Sequence, residues 1–211
     1  LVSKLKKGGL SKNYDEIIFD NSYFDNKIPD TWIWSDIGNY FGAGANSLSY
    51  RDNKFSIYFN SGNANTLANI SDVKPKFYKN AFEITTKTIS LGTEDNAFVY
   101  GDPYSLSPRI ISGTIPPNKK NYEVEALAPM PHLLFLNDLT LELKKNNLSI
   151  KNNSNQNIEI INRKINVEKT IYTHVSPTLD KIVYYTNLKS NNHYAESLIN
   201  TIGAIKSKKQ G

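Results

Sequence analysis

An α+β fold is expected for this chain, and three runs of sequence lead to it. Between Lys54 and Ile115, apolar and polar residues alternate with the two-residue period of half-buried strands. From Pro131 the spacing turns helical, with Leu133, Leu136, Leu139 and Leu143 on one stripe. After Ser176 two further helical patterns follow, parted by a polar break at Lys189-Ser190-Asn191-Asn192.

Val2, Leu5 and Leu10 predict a short amino-terminal helix that Gly8-Gly9 breaks. Ile17-Ile18-Phe19 predicts a short strand. The turn chemistry of Asp20-Asn21-Ser22 closes it, and Pro29-Asp30 marks another turn. From Trp32 to Tyr50 the chain is rich in Gly, Ala and aromatics, where Gly38, Gly42 and Gly44 predict close backbone approach or positive φ. Trp32, Trp34 and Tyr40 are expected to pack in a core rather than to form a glycan-stacking surface. Strand patterns fall at Phe55–Phe59, Phe82–Thr85 and Ala97–Tyr100, with turn clusters at Asn60–Asn65 and Gly92–Asn96. Pro131 suits the first turn of the next helix and Asn146-Asn147 its end. Residues 152–157 read as a polar, hairpin-like excursion followed by 158–165. Ser176 as N-cap and Pro177 at the first helical position open the penultimate helix, with Leu179, Ile182 and Val183 as its buried face. The last helix is expected from about Tyr194 through Leu198 and Ile202 to Gly203.

Composition narrows the chemistry. With 39% hydrophobic and 21% charged residues in a length of 211, the chain is globular, enough for one ordinary domain or two small ones. No apolar run reaches the roughly 18 residues of a membrane-crossing helix. Without cysteine, disulfides and thiolate catalysis are excluded. His132, His174 and His193 stand 42 and 19 residues apart, so a zinc site would need carboxylates from unrelated places, and none is expected. The net charge is +5, yet the lysines are spread along the chain and only Arg51, Arg109 and Arg163 are arginines. Solvated lysine, not a nucleic-acid surface, is the reading. The start at Leu1, with neither initiator Met nor the apolar core of a signal peptide, implies a piece of a longer product.

A Ser-x-Asn tripeptide is short and common, but Ser190-Asn191-Asn192 sits in a tight connection between two helical patterns. Further upstream lie Asp20-Asn21-Ser22-Tyr23-Phe24-Asp25 and Trp32-Ile33-Trp34-Ser35-Asp36-Ile37-Gly38-Asn39-Tyr40-Phe41-Gly42-Ala43-Gly44-Ala45. Arg51-Asp52-Asn53, Tyr100-Gly101-Asp102-Pro103-Tyr104 and Gly113-Thr114-Ile115-Pro116 follow in order. On these residues, spread over about 16 to 203, the sequence resembles the D-Ala-D-Ala carboxypeptidase/endopeptidase family, the class C penicillin-binding proteins. Their serine-dependent set is Ser-x-x-Lys, Ser-x-Asn and Lys-Thr-Gly.

The chain departs from that set. Ser3-Lys4-Leu5-Lys6 lies too close to Asp20 for the family order, and Ser71-Asp72-Val73-Lys74 runs into Pro75, which disfavours a helical turn. Lys87-Thr88-Ile89 lacks the glycine and precedes Ser190. All three read as coincidences, so the chain is an incomplete enzyme lacking Ser-x-x-Lys and Lys-Thr-Gly.

The resemblance implies a fragment of a β-lactamase/transpeptidase-like fold carrying β-rich inserted domains. It assigns residues 1–52 to part of a first inserted domain, 53–120 to a β-rich inserted domain, and 121–170 to the return through it. Residues 171–211 fall in the helical part of the catalytic domain. The implied activity is that of a serine-type D-Ala-D-Ala carboxypeptidase/endopeptidase acting on peptidoglycan stem peptides through an acyl-enzyme. It needs no metal or organic cofactor, β-lactams acylate it, and its place is the periplasm or cell envelope. The alternative is a non-catalytic module that binds peptidoglycan or an envelope protein. Ser190 would relay the proton to the departing D-alanine, and Asn192, with both donor and acceptor atoms, would fix the lysine and hold the substrate carbonyl. The competing role is to cap the following helix, and the two are compatible. Asp20 matches the acidic residue that meets the free amine of diaminopimelate in some members; closing a turn after a strand explains it equally well. His193 reads as a first-turn helix residue.

Overall fold

The computed structural model describes every residue except 11–12, 15, 26, 151–157, 162–166 and 208–211. The excursion expected at 152–157 therefore lies outside the described residues, as does the end of 158–165. The chain opens with α1 (Val2–Lys7), β1 (Asn13–Tyr14), β2 (Ile17–Asp20) and the single turn α2 (Trp34–Ile37). The middle is β3 (Lys54–Asn60), β4 (Asn69–Lys74), α3 (Lys76–Ala81), β5 (Ile84–Ser90), β6 (Asn96–Tyr100), β7 (Arg109–Ile115) and β8 (Tyr122–Leu127). Then come α4 (Pro131–Lys145), β9 (Ser149–Ile150), β10 (Ile158–Ile161), α5 (Leu179–Lys189) and α6 (Asn192–Ser207). Helix and strand are mixed as an α+β fold requires.

Two three-stranded sheets hold the main core. In one, β3 lies between β4 and β8, antiparallel to both. In the other, β7 lies between β5 and β6, parallel to the first and antiparallel to the second. Alternation along β3 turns Phe55, Ile57 and Phe59 into a cluster with Val99, Ile111, Ile115 and Val124. Burying each such side chain contributes about 1.5–3 kcal/mol relative to leaving it in water. The register of β3 with β8 runs from Lys54 opposite Leu127 to Phe59 opposite Tyr122, so residues on both sides of 120 share one sheet. At Gly113, φ is +112° and a Cβ would fall 2.0 Å from the Asn96 carbonyl oxygen, so that point of the β6–β7 pairing takes glycine.

Gly38 and Asn39 join the two sheets. A Cβ on Gly38 would meet the Val99 carbonyl oxygen at 1.8 Å, and the Gly38 carbonyl accepts from Leu127 N at 3.0 Å. Asn39 Oδ1 accepts from Val99 N at 3.0 Å while its Nδ2 donates to the Ser35 carbonyl. One tight turn thereby fastens β6 to β8 and fixes where Tyr40 and Phe41 emerge. A smaller cluster of Val2, Leu143 and Leu148 holds α1 against α4, and β1–β9 and β2–β10 pair in parallel.

Four local expectations change. The strand expected from Phe82 begins at Ile84, because α3 precedes it and turns Tyr78 and Phe82 onto Phe55 at ring separations of 4.9 and 5.8 Å. The Tyr78 hydroxyl donates to the Pro129 carbonyl at 3.0 Å, and burial pushes its pKa up. The penultimate helix starts at Leu179 with Thr178 as its extended N-cap, and the Ser176 hydroxyl donates to the Pro177 carbonyl instead of capping. Leu179 and Val183 carry the expected helical stripe but are 64% and 40% exposed, since no described residue covers that side. Trp34 and Tyr40 are exposed, because the turn through Gly38 and Asn39 occupies the buried place between them.

Candidate functional site

α5 and α6 are joined by two residues, Ser190 and Asn191. Ser190 is left-handed, φ 49° and ψ 46°. Its N–H reaches the Asn187 carbonyl and the N–H of Asn191 reaches the Thr186 carbonyl at 3.0 Å, the hydrogen-bond pair of a Schellman end. That position ordinarily holds glycine, because a side chain there costs about 1 kcal/mol. Here it holds a serine.

The cap of α6 falls to the middle residue of the tripeptide. Asn191 Oδ1 accepts from Tyr194 N at 3.0 Å, and its carbonyl accepts from Ala195 N at 3.2 Å. Ser190 and Asn192 are thereby left out of the capping, and both line one polar cleft of about 480 Å3. Asn192 is the first residue of α6, and its Nδ2 donates to the Phe41 carbonyl at 2.8 Å. One of its two amide hydrogens is thus used to hold the segment that Gly38 and Asn39 place.

The opposite wall comes from the strands. Lys54 of β3 and Glu125 of β8, a diagonal pair on neighbouring strands, meet at 2.7 Å, and Tyr40, Asp52, Asp95 and Glu123 stand nearby. Burial, the largest single influence, pulls the Lys54 pKa down, but the bond to Glu125 together with the charges of Glu125, Asp52 and Tyr185 outweighs it, so the pKa stands raised. Burial pushes the Asp95 carboxyl up. His193 lies beneath the cleft, 4% exposed, with Nδ1 at 3.0 Å from the Gly44 carbonyl oxygen. That contact assigns the proton to Nδ1, and burial lowers the imidazole pKa, so the ring is a neutral structural donor. The Tyr194 hydroxyl donates to Asp52 Oδ1 at 2.8 Å; burial first, and then this bond, push its pKa up to about 12. Beside the polar cleft, residues of α5 and α6 line a second cavity of about 660 Å3 with Phe24, Asn46, Ser47 and Ser49.

Asp20 is not part of this cleft. It ends β2, is exposed, and its Oδ1 accepts from Ser22 N at 2.9 Å, closing the turn foreseen at Asp20-Asn21-Ser22. The three coincidental motifs are apart from it as well. Ser3 and Lys6 sit on α1, Ser71 and Lys74 on β4, and Thr88 is wholly buried on β5. Sequence reasoning passed over Asp52, Asn191, Tyr194 and the Lys54–Glu125 pair. Three adjacent residues at 190–192 are all able to cap, and only the backbone selects Asn191 among them.

The whole chain, residues 1–211, matches the model of the D-Ala-D-Ala carboxypeptidase 3 (S13) family. No curated relative matches. Among solved structures, penicillin binding protein 4 (dacB) from Haemophilus influenzae is similar in fold, with a TM-score of 0.74 at 18% identity over 100% of this chain. The same protein complexed with a novel beta-lactam aligns with a TM-score of 0.59 at 16% identity over 99% of this chain. The chain spans 46% and 43% of those two chains, less than half of either. No helix among the described residues is long and apolar enough to cross a membrane.

Proposed function

The chain belongs to the D-Ala-D-Ala carboxypeptidase family, and we propose that it is the insert-bearing middle of a periplasmic serine DD-peptidase, with Ser190 and Asn192 as its Ser-x-Asn element. The observation that carries this reading is the serine kept at the left-handed position of the α5–α6 connection, on the same cleft as Asn192. Local strain of that kind collects at functional sites. Residues 171–211 are the helical part of the catalytic domain, and 1–170 belong to the inserted domains, whose two sheets close on each other. The uncovered stripe of α5 and the apolar cavity beside it fit helices that other catalytic-domain segments complete.

In that enzyme a serine on a segment outside this chain attacks the carbonyl of the penultimate D-alanine, with a neutral lysine taking its proton. The C–N bond to the terminal D-alanine breaks. Ser190 relays the proton to the departing amine, and water later hydrolyses the acyl-enzyme. Asn192 keeps one amide hydrogen and its carbonyl oxygen available to orient the lysine and the substrate peptide. Asp20 stands in the same proposal as the group that meets the free amine of diaminopimelate. Its replacement by Asn is expected to slow diaminopimelate-containing peptides more than diacyl-D-Ala-D-Ala, and an equal loss on both assigns it to the turn alone.

Mass spectrometry after penicillin treatment tests the reading. The full-length protein is expected to gain one covalent penicillin, and this 211-residue chain none. A stoichiometric adduct on Ser3 or Ser71 of this chain overturns it.

A further inference from the structure

Three consecutive residues in the first turn of α6 grip one segment of the chain. Asn192 Nδ2 donates to the Phe41 carbonyl at 2.8 Å, His193 Nδ1 meets the Gly44 carbonyl at 3.0 Å, and the Tyr194 hydroxyl donates to Asp52 Oδ1 at 2.8 Å. The far end of that segment, Arg51-Asp52-Asn53, is left-handed at all three residues, with φ of 55°, 54° and 51°. A left-handed non-glycine residue costs about 1–2 kcal/mol, so three in succession persist only where their surroundings fix them. Each side chain has such a hold. Arg51 pairs with Asp138 of α4 at 3.2 Å, and Asp52 accepts from Tyr194. Asn53 accepts from Tyr50 N at 3.0 Å and donates to the Gly44 carbonyl at 3.3 Å. Asp52 also lines the cleft that Ser190 and Asn192 share. The Tyr194 ring in turn rests against Tyr185 of α5, centroids 5.4 Å apart, so the phenol touches both helices that flank Ser190.

From this geometry we infer that Asp52 and Tyr194 are positioning residues for the Ser-x-Asn element. The left-handed turn aims the carboxylate at the phenol, and the phenol fixes the α5–α6 connection against the strand-built domain. Ser190 and Asn192 then meet the reacting groups at a set distance. The inference rests on the serine-peptidase reading above and adds to it two residues that act through the placement of Ser190 and Asn192. Shifts of about 1 Å in a reacting group cost up to about 10²-fold in rate, so a latch of this kind is felt in chemistry before it is felt in stability.

The test compares the full-length protein with its Y194F, D52A, D52N and Y194F/D52A variants. The readouts are the rate of acylation by labelled penicillin, the reversible affinity that precedes it, and Tm. Y194F and D52A are each expected to slow acylation about tenfold or more, with reversible affinity within about twofold of wild type. D52N is expected to stay within about threefold, because its Oδ1 still accepts from the phenol, and the double variant is expected to be no slower than the slower single one. Y194F removes one hydroxyl and keeps the ring packing, so it reports on the latch even where D52A lowers Tm. Rates within about twofold of wild type for Y194F and D52A overturn the inference. So do single losses that multiply in the double variant, or a D52N as slow as D52A, which assigns the effect to charge in the cleft. A wild-type protein that takes no penicillin refutes the peptidase reading and this inference with it; an acylated wild type with unaffected variants refutes the inference alone.

Discussion

The strand-built middle of the molecule and the helix pair at its carboxy-terminal end use the same apolar residue types to opposite effect. Phe55, Ile57, Phe59, Ile111 and Ile115 are all 2% exposed or less, each met by the facing sheet. Leu179, Tyr184, Leu188, Ile199 and Ile205 are all more than half exposed. Periodicity places apolar residues on one side of an element; it does not supply what covers them. The sheets cover each other. The helices carry their apolar stripe toward space that, on the reading proposed here, catalytic-domain segments outside this chain occupy, and they are tied to the strands chiefly by polar contacts around 41–53. A strand-built core closed on itself thus carries an uncovered helix pair through hydrogen bonds from the first turn of α6.

The two regions should respond very differently to the loss of an apolar side chain. Phe59→Ala is expected to cost about 3–5 kcal/mol in denaturant unfolding of this chain, since its side chain is fully buried between sheets. Leu188→Ala, 61% exposed, is expected to stay within about 0.5 kcal/mol here. In the full-length protein the same change is expected to cost about 2 kcal/mol or more if that face is covered there. Equal small costs in both contexts would remove the argument for a missing neighbour.

Arg109 tests how far the closed region depends on polar order. Its buried guanidinium donates to the carbonyls of Asp102, Ser105 and Ser107 and lies over the Phe82 ring. Arg109→Ala leaves those carbonyls unmet and is expected to cost about 3 kcal/mol or more. Arg109→Lys is expected to recover little, because an ammonium cannot fork to reach all three. A lysine variant as stable as wild type would show that packing, not the fork, matters.

The latch supplies smaller, pH-dependent signals. His193 is neutral in the fold with its pKa lowered by burial, so its contribution is complete above the unfolded value of about 6.5 and fades as pH falls toward the folded one. Tyr194 is raised to about 12, so its contribution is complete below the unfolded value of about 10 and fades as pH rises through 10 to 12. Unfolding midpoints across pH should show both windows, with His193→Asn shrinking the acidic one, which half-buried His132 shares, and Tyr194→Phe shrinking the basic one, which buried Tyr78 shares. Windows unchanged in these variants would place the titrating groups elsewhere.

Much of this was legible in the residues. The alternation at Phe55–Phe59, the stripe from Pro131 to Leu143 and the break at Ser190 all correspond to elements, because each follows from a local period or a local cap. Other features are set by tertiary contact and leave no periodic trace. α3 forms because Tyr78 and Phe82 find Phe55, and Trp34 stays outside because Gly38 and Asn39 hold the interior place. Asp52 reaches Tyr194 across 142 residues of sequence through three left-handed residues that carry no glycine to announce them. The motif pointed to the α5–α6 connection, and the contacts that hold that connection were invisible without the fold.

Ser190→Gly in the full-length protein separates chemistry from architecture most directly. Glycine suits the left-handed position better than serine, so the free energy of unfolding is expected to be unchanged or to rise by up to about 1 kcal/mol. Acylation by labelled penicillin is expected to fall about 10²-fold or more, the scale of losing a positioned proton-transfer group. A Ser190→Gly protein that acylates at the wild-type rate, or that loses acylation only in proportion to lost stability, would contradict the assignment of Ser190 to the reaction.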